Sequence, residues 1–239
     1  MFQENYQPKY NHTKSNSNIL NHGTLFELSE ISVNFGKLKA LDRVQLKIQQ
    51  GEIIFLTGAS GAGKTTLLRL LCGEIEPNDG IIRRPIDFHK NVFLSNVFQD
   101  LRLISKWSLK DNLFAAYDPN AYRSKKEFIS DMNEMAKVMG FYDRLDLKVM
   151  HANGGLKQKV AIARALLTKP DVFIADEPTS SLDVDNAGRV FDILNLYNSK
   201  KSMTVIWASH NKDLIRRFTG RTVHLDQGKM VYTGHACLI

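Results

Sequence analysis

Apolar and polar residues alternate along residues 25–57, and the alternation runs into the short apolar stretch Ile53-Ile54-Phe55-Leu56. With the turn Gln49-Gln50-Gly51-Glu52 between them, this period of two predicts an antiparallel β-region feeding a buried strand. Residues 100–150 switch to a helical period. Within "SKKEFISDMNEMAKVMG", Ser124 and Glu127 have the spacing of a capping box, and Phe128, Met132, Met135 and Met139 form one stripe that ends at Gly140. The stripe is read as core in preference to a binding face. Val172-Phe173-Ile174-Ala175 predicts a parallel-type strand buried on both faces, and "TVHLDQGKMVYTG" a hairpin around Asp226-Gln227-Gly228. Residues 1–24 are polar and Asn-rich, without the apolar core of a signal peptide. They are expected to be a mobile tail, with a tag or docking arm as alternatives, so the folded part is taken as 25–239.

Composition changes this picture little. At 239 residues and 43% hydrophobic content, the chain suits one large or two small domains. No apolar run approaches the roughly 18 residues of a membrane span. Two cysteines cannot form a disulfide framework, which points to a reducing compartment; Cys72, in "LLRLLCG", reads as a small core residue. The formal charge of +7 is compatible with nucleic acid, an anionic membrane face, bound phosphates or simply a solvated basic surface. No basic run is interleaved with aromatics, so nucleic acid is not predicted as a partner. The chain shows no internal repeat and no second glycine-rich loop, and no regulatory domain is expected after the hairpin.

The chemistry starts at "EIIFLTGASGAGKTTLLRLLCG". Gly58, Ala59, Ser60, Gly61, Ala62, Gly63, Lys64, Thr65 and Thr66 have the spacing of a phosphate-binding loop, in the strand-loop-helix context that the motif requires. Glycines let backbone N–H groups curl around phosphates, Lys64 bridges the β- and γ-phosphates, and the Thr65 hydroxyl ligates magnesium. ATP and Mg2+ are therefore the expected cofactors. "DVFIADEP" supplies the apolar strand ending in an acid: Asp176 as magnesium carboxylate, with Glu177 beside it to polarise the attacking water.

With these two motifs in place the chain resembles the ATP-binding cassette (ABC) ATPases over about residues 25–234. The other family elements follow in order: Gln99 in the Q-loop "NVFQD", a degenerate signature in "ANGGLKQKV", Asp183 in the D-loop "SSLD", and a switch histidine, His210, in "VIWASH". The resemblance implies an α/β fold of P-loop type, a RecA-like core carrying an antiparallel β-subdomain and an α-helical subdomain over about 100–160. It implies Glu177, His210 and Gln99 as catalytic residues and Thr65, Gln99 and Asp176 as metal ligands. Phe35 in "VNFGKLKAL" matches the aromatic that stacks on adenine, with a core phenylalanine as the alternative. Within the family, "FLTGASGAGKTTLLRLLCGEIEPNDG" and "FQDLRLISKWSLKDNL" look most like the FtsE group of cell-division ATPases, which is related to the LolD and MacB groups. The stretch from Thr66 to Gln99 is short for that group and implies a trimmed β-subdomain.

In the family two cassettes pack head to tail, so Asn153, Gly154, Gly155 and Leu156 are expected to face a partner's ATP. A glycine turn opening a helix offers N–H groups and a positive dipole end to phosphate, although a helix capped by Asn153 is also ordinary structure. The usual Leu-Ser-Gly-Gly-Gln is here Ala152-Asn153-Gly154-Gly155-Leu156. Losing one preorganised donor costs roughly 2.7–4 kcal/mol in related chemistry, so slow hydrolysis is expected, with Lys157 and Lys159 keeping the neighbourhood positive.

The leading expectation is a cytoplasmic ATPase, peripheral on the inner face of the membrane, that works as an ATP-dependent homodimer or in a heterodimer. Its partner would be an integral membrane protein, either FtsX-like in cell division or the permease of a LolD- or MacB-like lipoprotein or efflux transporter. A DNA-maintenance ATPase needs a long coiled coil that the interval from Gln99 to Ala152 is too short to hold, and a translation ATPase usually needs two cassettes. A nucleotide-binding module without turnover is opposed by Glu177 and His210.

Overall fold

The computed structural model describes residues 23–85, 88–211, 215 and 218–235. The expected tail therefore lies outside the described residues, except Gly23 and Thr24, and Thr24 is already strand. In chain order come β1 (Thr24–Phe35), β2 (Leu38–Gln49), β3 (Ile53–Thr57), α1 (Lys64–Leu71), β4 (Asp79–Arg83), the single turn α2 (Phe88–Asn91) and β5 (Leu94–Val97). Then follow α3 (Leu109–Phe114), α4 (Lys125–Val138), α5 (Gly154–Leu167), β6 (Val172–Asp176), α6 (Val184–Lys201), β7 (Thr204–Ala208), β8 (Arg221–Asp226) and β9 (Lys229–His235).

Two sheets result. The alternating segment supplies β1 and β2 of an antiparallel sheet of order β2-β1-β4, and a larger sheet runs β5-β6-β7-β3-β8-β9, parallel except for β9. The period of two then divides the core. Phe55, Phe173, Val205 and Trp207 join the helical side with α3 to α6, whereas Ile54, Leu56, Ile174, Ile206 and Val223 join α1 and the antiparallel sheet on the other face. Each such fully buried side chain contributes about 1.5–3 kcal/mol. Burial on both faces is why these strands read as continuous apolar runs.

The stripe Phe128, Met132, Met135 and Met139 is buried on the helical side, as expected of core. Gly140 stops α4 at φ 72°, and Gln227-Gly228, both at positive φ, turn the β8–β9 hairpin. The capping box of α4 forms only by half. Ser124 accepts from the Glu127 N–H at 3.1 Å, but the Glu127 carboxylate accepts from the Arg123 N–H instead and pairs with Lys169 at 3.2 Å. The complete box is at α3, where Ser108 and Asp111 cap each other's backbone.

Candidate functional site

The parallel strands deliver the predicted residues to one edge. β3 ends at the glycine loop, β5 leads through Phe98 to Gln99, β6 ends at Asp176 and β7 leads through Ser209 to His210. Between them lies an open cleft of about 850 Å³ whose walls include Phe35, Ser60, Gly61, Gly63, Lys64, Thr65, Thr66, Gln99, Asp176, Glu177 and His210. Ligand sites at the carboxyl ends of strands are the rule for such sheets. Phe35 is 52% exposed on the cleft wall, so it is not a core residue.

Two loop glycines are needed for different reasons. A Cβ on Gly58, at φ 144°, would lie 2.3 Å from the Leu225 carbonyl, whereas Gly61 faces open space and is required by its left-handed backbone at φ 79°. Ala62 turns inward and accepts from the Gly228 N–H at 3.1 Å, anchoring the loop on the β8–β9 turn. Lys64 is almost buried and folds over its own loop, donating to the carbonyls of Gly58 (2.8 Å) and Ala59 (3.0 Å).

The Thr65 hydroxyl donates to Asp176 Oδ2 at 2.6 Å. Asp176 itself is buried, and its Oδ1 has no hydrogen-bond partner among the described residues. An unsatisfied buried carboxylate oxygen is costly, and a hydroxyl–carboxylate pair with a bare oxygen is a hard, oxygen-only donor set, so the residues present fit Mg2+. Glu177 stands in the left-handed region at φ 52°, pinned by its N–H to the Ala208 carbonyl at 2.9 Å. Its Oε1 accepts from both the His210 N–H (3.0 Å) and His210 Nδ1 (2.8 Å), so one strained acid and one exposed histidine form a unit.

The signature residues divide. Asn153 caps α5, its Oδ1 accepting the Leu156 N–H at 2.8 Å, and its amide stays on the exposed side. Leu156 does not face outward: it is only 6% exposed and belongs to the helical core. Within the signature, then, the first turn of α5 rotates the position 156 side chain inward. Gly154 is exposed and borders the cleft, and both glycines lie against the chain's own loop. A Cβ on Gly154 would meet Ser181 Oγ at 3.2 Å, and one on Gly155 the Ser181 carbonyl at 2.9 Å. Asp183 lies with Asn153, Gly154 and Gly155 in a second hollow, and its carboxylate caps α6 through the Asn186 N–H (2.8 Å) and side-chain amide (2.7 Å). Those bonds, the backbone one first, hold its carboxyl below the ordinary carboxylate value.

One participant escaped the motif reading. Gln158 is buried, donates through Nε2 to Ser180 Oγ at 2.7 Å, and accepts from the Ser181 N–H at 2.9 Å. The signal was present, since position 158 is four residues after Gly154 and hence on the same helix face.

The glycine loop between β3 and α1, the Thr65–Asp176 contact and the Glu177–His210 pair define the class as a P-loop nucleotide-binding protein. Residues 41–180 match the model of the ABC transporter family, and the chain belongs to that family. It is 30% identical over 223 residues to the methionine import ATP-binding protein MetN of Lactobacillus johnsonii, covering 87% of this chain and 64% of that protein. It is 32% identical over 211 residues to the lipoprotein-releasing system ATP-binding protein LolD of Ehrlichia canis, covering 81% of this chain and 92% of that protein. Among solved structures it is similar to a dimeric ATP-binding cassette in a post-hydrolysis state bound to ADP and Pi, with a TM-score of 0.77 and 25% identity over 90% of this chain and 100% of that one. The chain spans between 59% and 68% of the methionine import relatives it matches. These relatives are named for methionine import and lipoprotein release, and what they support is the broader ABC ATPase assignment rather than the cell-division group in particular. No helix among the described residues is long and apolar enough to cross a membrane.

Proposed function

We propose that the chain is the ATP-binding and hydrolysing subunit of a membrane ABC complex, dimerising on ATP and driving an integral membrane permease. The observation that carries this is Asp176: buried, bonded to Thr65, with one oxygen left bare beside the Glu177–His210 pair. Lys64 must leave the loop carbonyls to reach phosphate oxygens, and backbone N–H groups of the loop take the rest of that charge. Thr65, Asp176 and Gln99 would hold Mg2+, which when bound neutralises charge on the β- and γ-phosphates. Glu177 takes a proton from the attacking water, His210 holds that carboxylate and senses the γ-phosphate, and Phe35 stacks on the base.

Between the finer readings, transport is favoured over division signalling, because a LolD is matched over 92% of its length and MetN proteins are matched as well. A lipoprotein-release or efflux complex is therefore placed ahead of an FtsX-like partner. Ile104, Trp107 and Met150 are each more than 40% exposed, and they are brought together by the Met150 N–H to Ser105 carbonyl and Val149 N–H to Trp107 carbonyl bonds. This apolar patch, just beyond Gln99, suits a helix of the membrane partner. The test is capture of the membrane protein that co-purifies with Glu177→Gln in ATP. A permease with a substrate path is the expected catch; a protein with few spans and a large extracytoplasmic domain would restore the division reading, and no membrane protein at all would overturn both.

A further inference from the structure

We infer that Gln158 is a positioning residue that joins the start of α5 to the loop between Glu177 and Asp183, so that the two move as one piece. The inference rests on the ATPase reading for its consequence, but on geometry for its existence. Three residues of α5 make the joint. Gln158 donates to Ser180 and accepts from Ser181 with both ends of one buried amide. Gly154 packs on the Ser181 side chain, and Gly155 lies so close to the Ser181 carbonyl and Leu182 that no larger residue fits. The loop is closed on its other side by the Ser180 N–H to Glu177 carbonyl bond at 3.2 Å and the Leu182 N–H to Thr179 carbonyl bond at 3.0 Å.

The Gln158 amide is buried and has both ends used, so it is a fully satisfied link, and pulling the loop away would strand that buried amide without its two partners. The position matters because the loop begins at the residue that holds the water and ends at the cap of α6, while α5 begins at the exposed Gly154. Any shift of Glu177 as it trades His210 for water is thus delivered to the helix start that meets the other subunit's nucleotide. Gln158 touches neither water nor phosphate in this scheme; it sets where Glu177 and Gly154 stand relative to each other.

The experiment uses the whole chain with Gln158→Leu, which keeps the volume and loses both bonds, and Gln158→Glu, whose two oxygens accept from the Ser181 N–H and the Ser180 hydroxyl. Hydrogen exchange at the Ser181 amide is read without nucleotide, then kcat, KM and ATP-dependent dimerisation. Expected for Leu is faster exchange at Ser181, kcat lower by on the order of tenfold with KM within about twofold, and weaker dimerisation. Glu is expected to recover all three. Unchanged Ser181 exchange in the Leu variant overturns the joint, and so does wild-type kcat in spite of faster exchange. A Glu variant no better than Leu, with kcat and KM falling together alongside melting temperature, would show ordinary packing instead. Because exchange needs no ATP, a wild-type chain without turnover would sink the ATPase reading while leaving the joint to be judged.

Discussion

The glycine loop and the signature turn are both glycine-rich helix starts, yet they use their side chains differently. In the loop, the residues with chemistry point at the cleft: Lys64, Thr65 and, across from them, Asp176 and Glu177. At the signature turn, the side chains that depart from the family pattern have intrachain roles, with Asn153 as cap and Leu156 as core, and only glycine backbone and the Asn153 amide are left facing out. A site that binds through side chains cannot change its letters without changing its chemistry. One that binds through backbone can, at a position such as Leu156 whose side chain only packs inward.

The largest effect should come from Glu177→Gln, on the side-chain-dependent half. Loss of a general base predicts turnover lower by about 10² to 10⁴, with ATP-driven dimerisation retained and visible by sedimentation. Turnover within tenfold of wild type would mean that Glu177 only holds His210, and the contrast between the halves would lose its chemical side.

The second effect concerns Leu156→Gln, which restores the family's letter. Because the side chain sits in the helical core, this change should cost about 1–3 kcal/mol by burying an amide, lowering the melting temperature by several degrees without raising kcat. A faster enzyme of undiminished stability would show that position 156 swings outward when two subunits meet.

How much of this was legible follows from the same contrast. The loop, the two strands that flank it and the β8–β9 hairpin could be read because glycine spacing, two-sided burial and a Gln-Gly turn act locally. The inward turn of Leu156 could not be read from a motif that treats five letters as one surface, since a 3.6-residue period separates position 156 from the exposed Asn153 and Gly154. The helix period does place Gln158 on the face of Gly154, but its partners Ser180 and Ser181 come from the loop after β6, a tertiary contact that no sequence period announces. At α4 the local rule saw half the cap, because Lys169, far along the chain, draws the Glu127 carboxylate away.

A smaller effect is expected at Asn153. Serine caps about as well as asparagine, so Asn153→Ser should leave stability within about 0.5 kcal/mol while raising kcat, since a hydroxyl then replaces the carboxamide on the outward face. Asn153→Ala should lose both the cap and the rate, with about 1 kcal/mol of stability gone. Equal rates for Ser and Asn with intact folding would remove the signature turn as a brake on hydrolysis.

The smallest effect tests whether Asp183, too, serves its own helix. The Asn186 backbone N–H and amide hold its carboxyl below the ordinary value, so its folded-state pKa is depressed. A depressed carboxyl contributes stability above the unfolded value of about 3.9 and loses it as pH falls through the folded value. Asp183→Asn keeps a capping oxygen but cannot titrate, so melting temperature followed downward from pH 5 should fall less steeply for the variant than for wild type, while the two coincide near pH 7. The difference should be slight because the group is exposed to solvent. Superimposable acid limbs would mean that the α6 cap carries no stability of its own, and Asp183 would then be free to turn from its helix toward a partner subunit, as Leu156, locked in the core, is not.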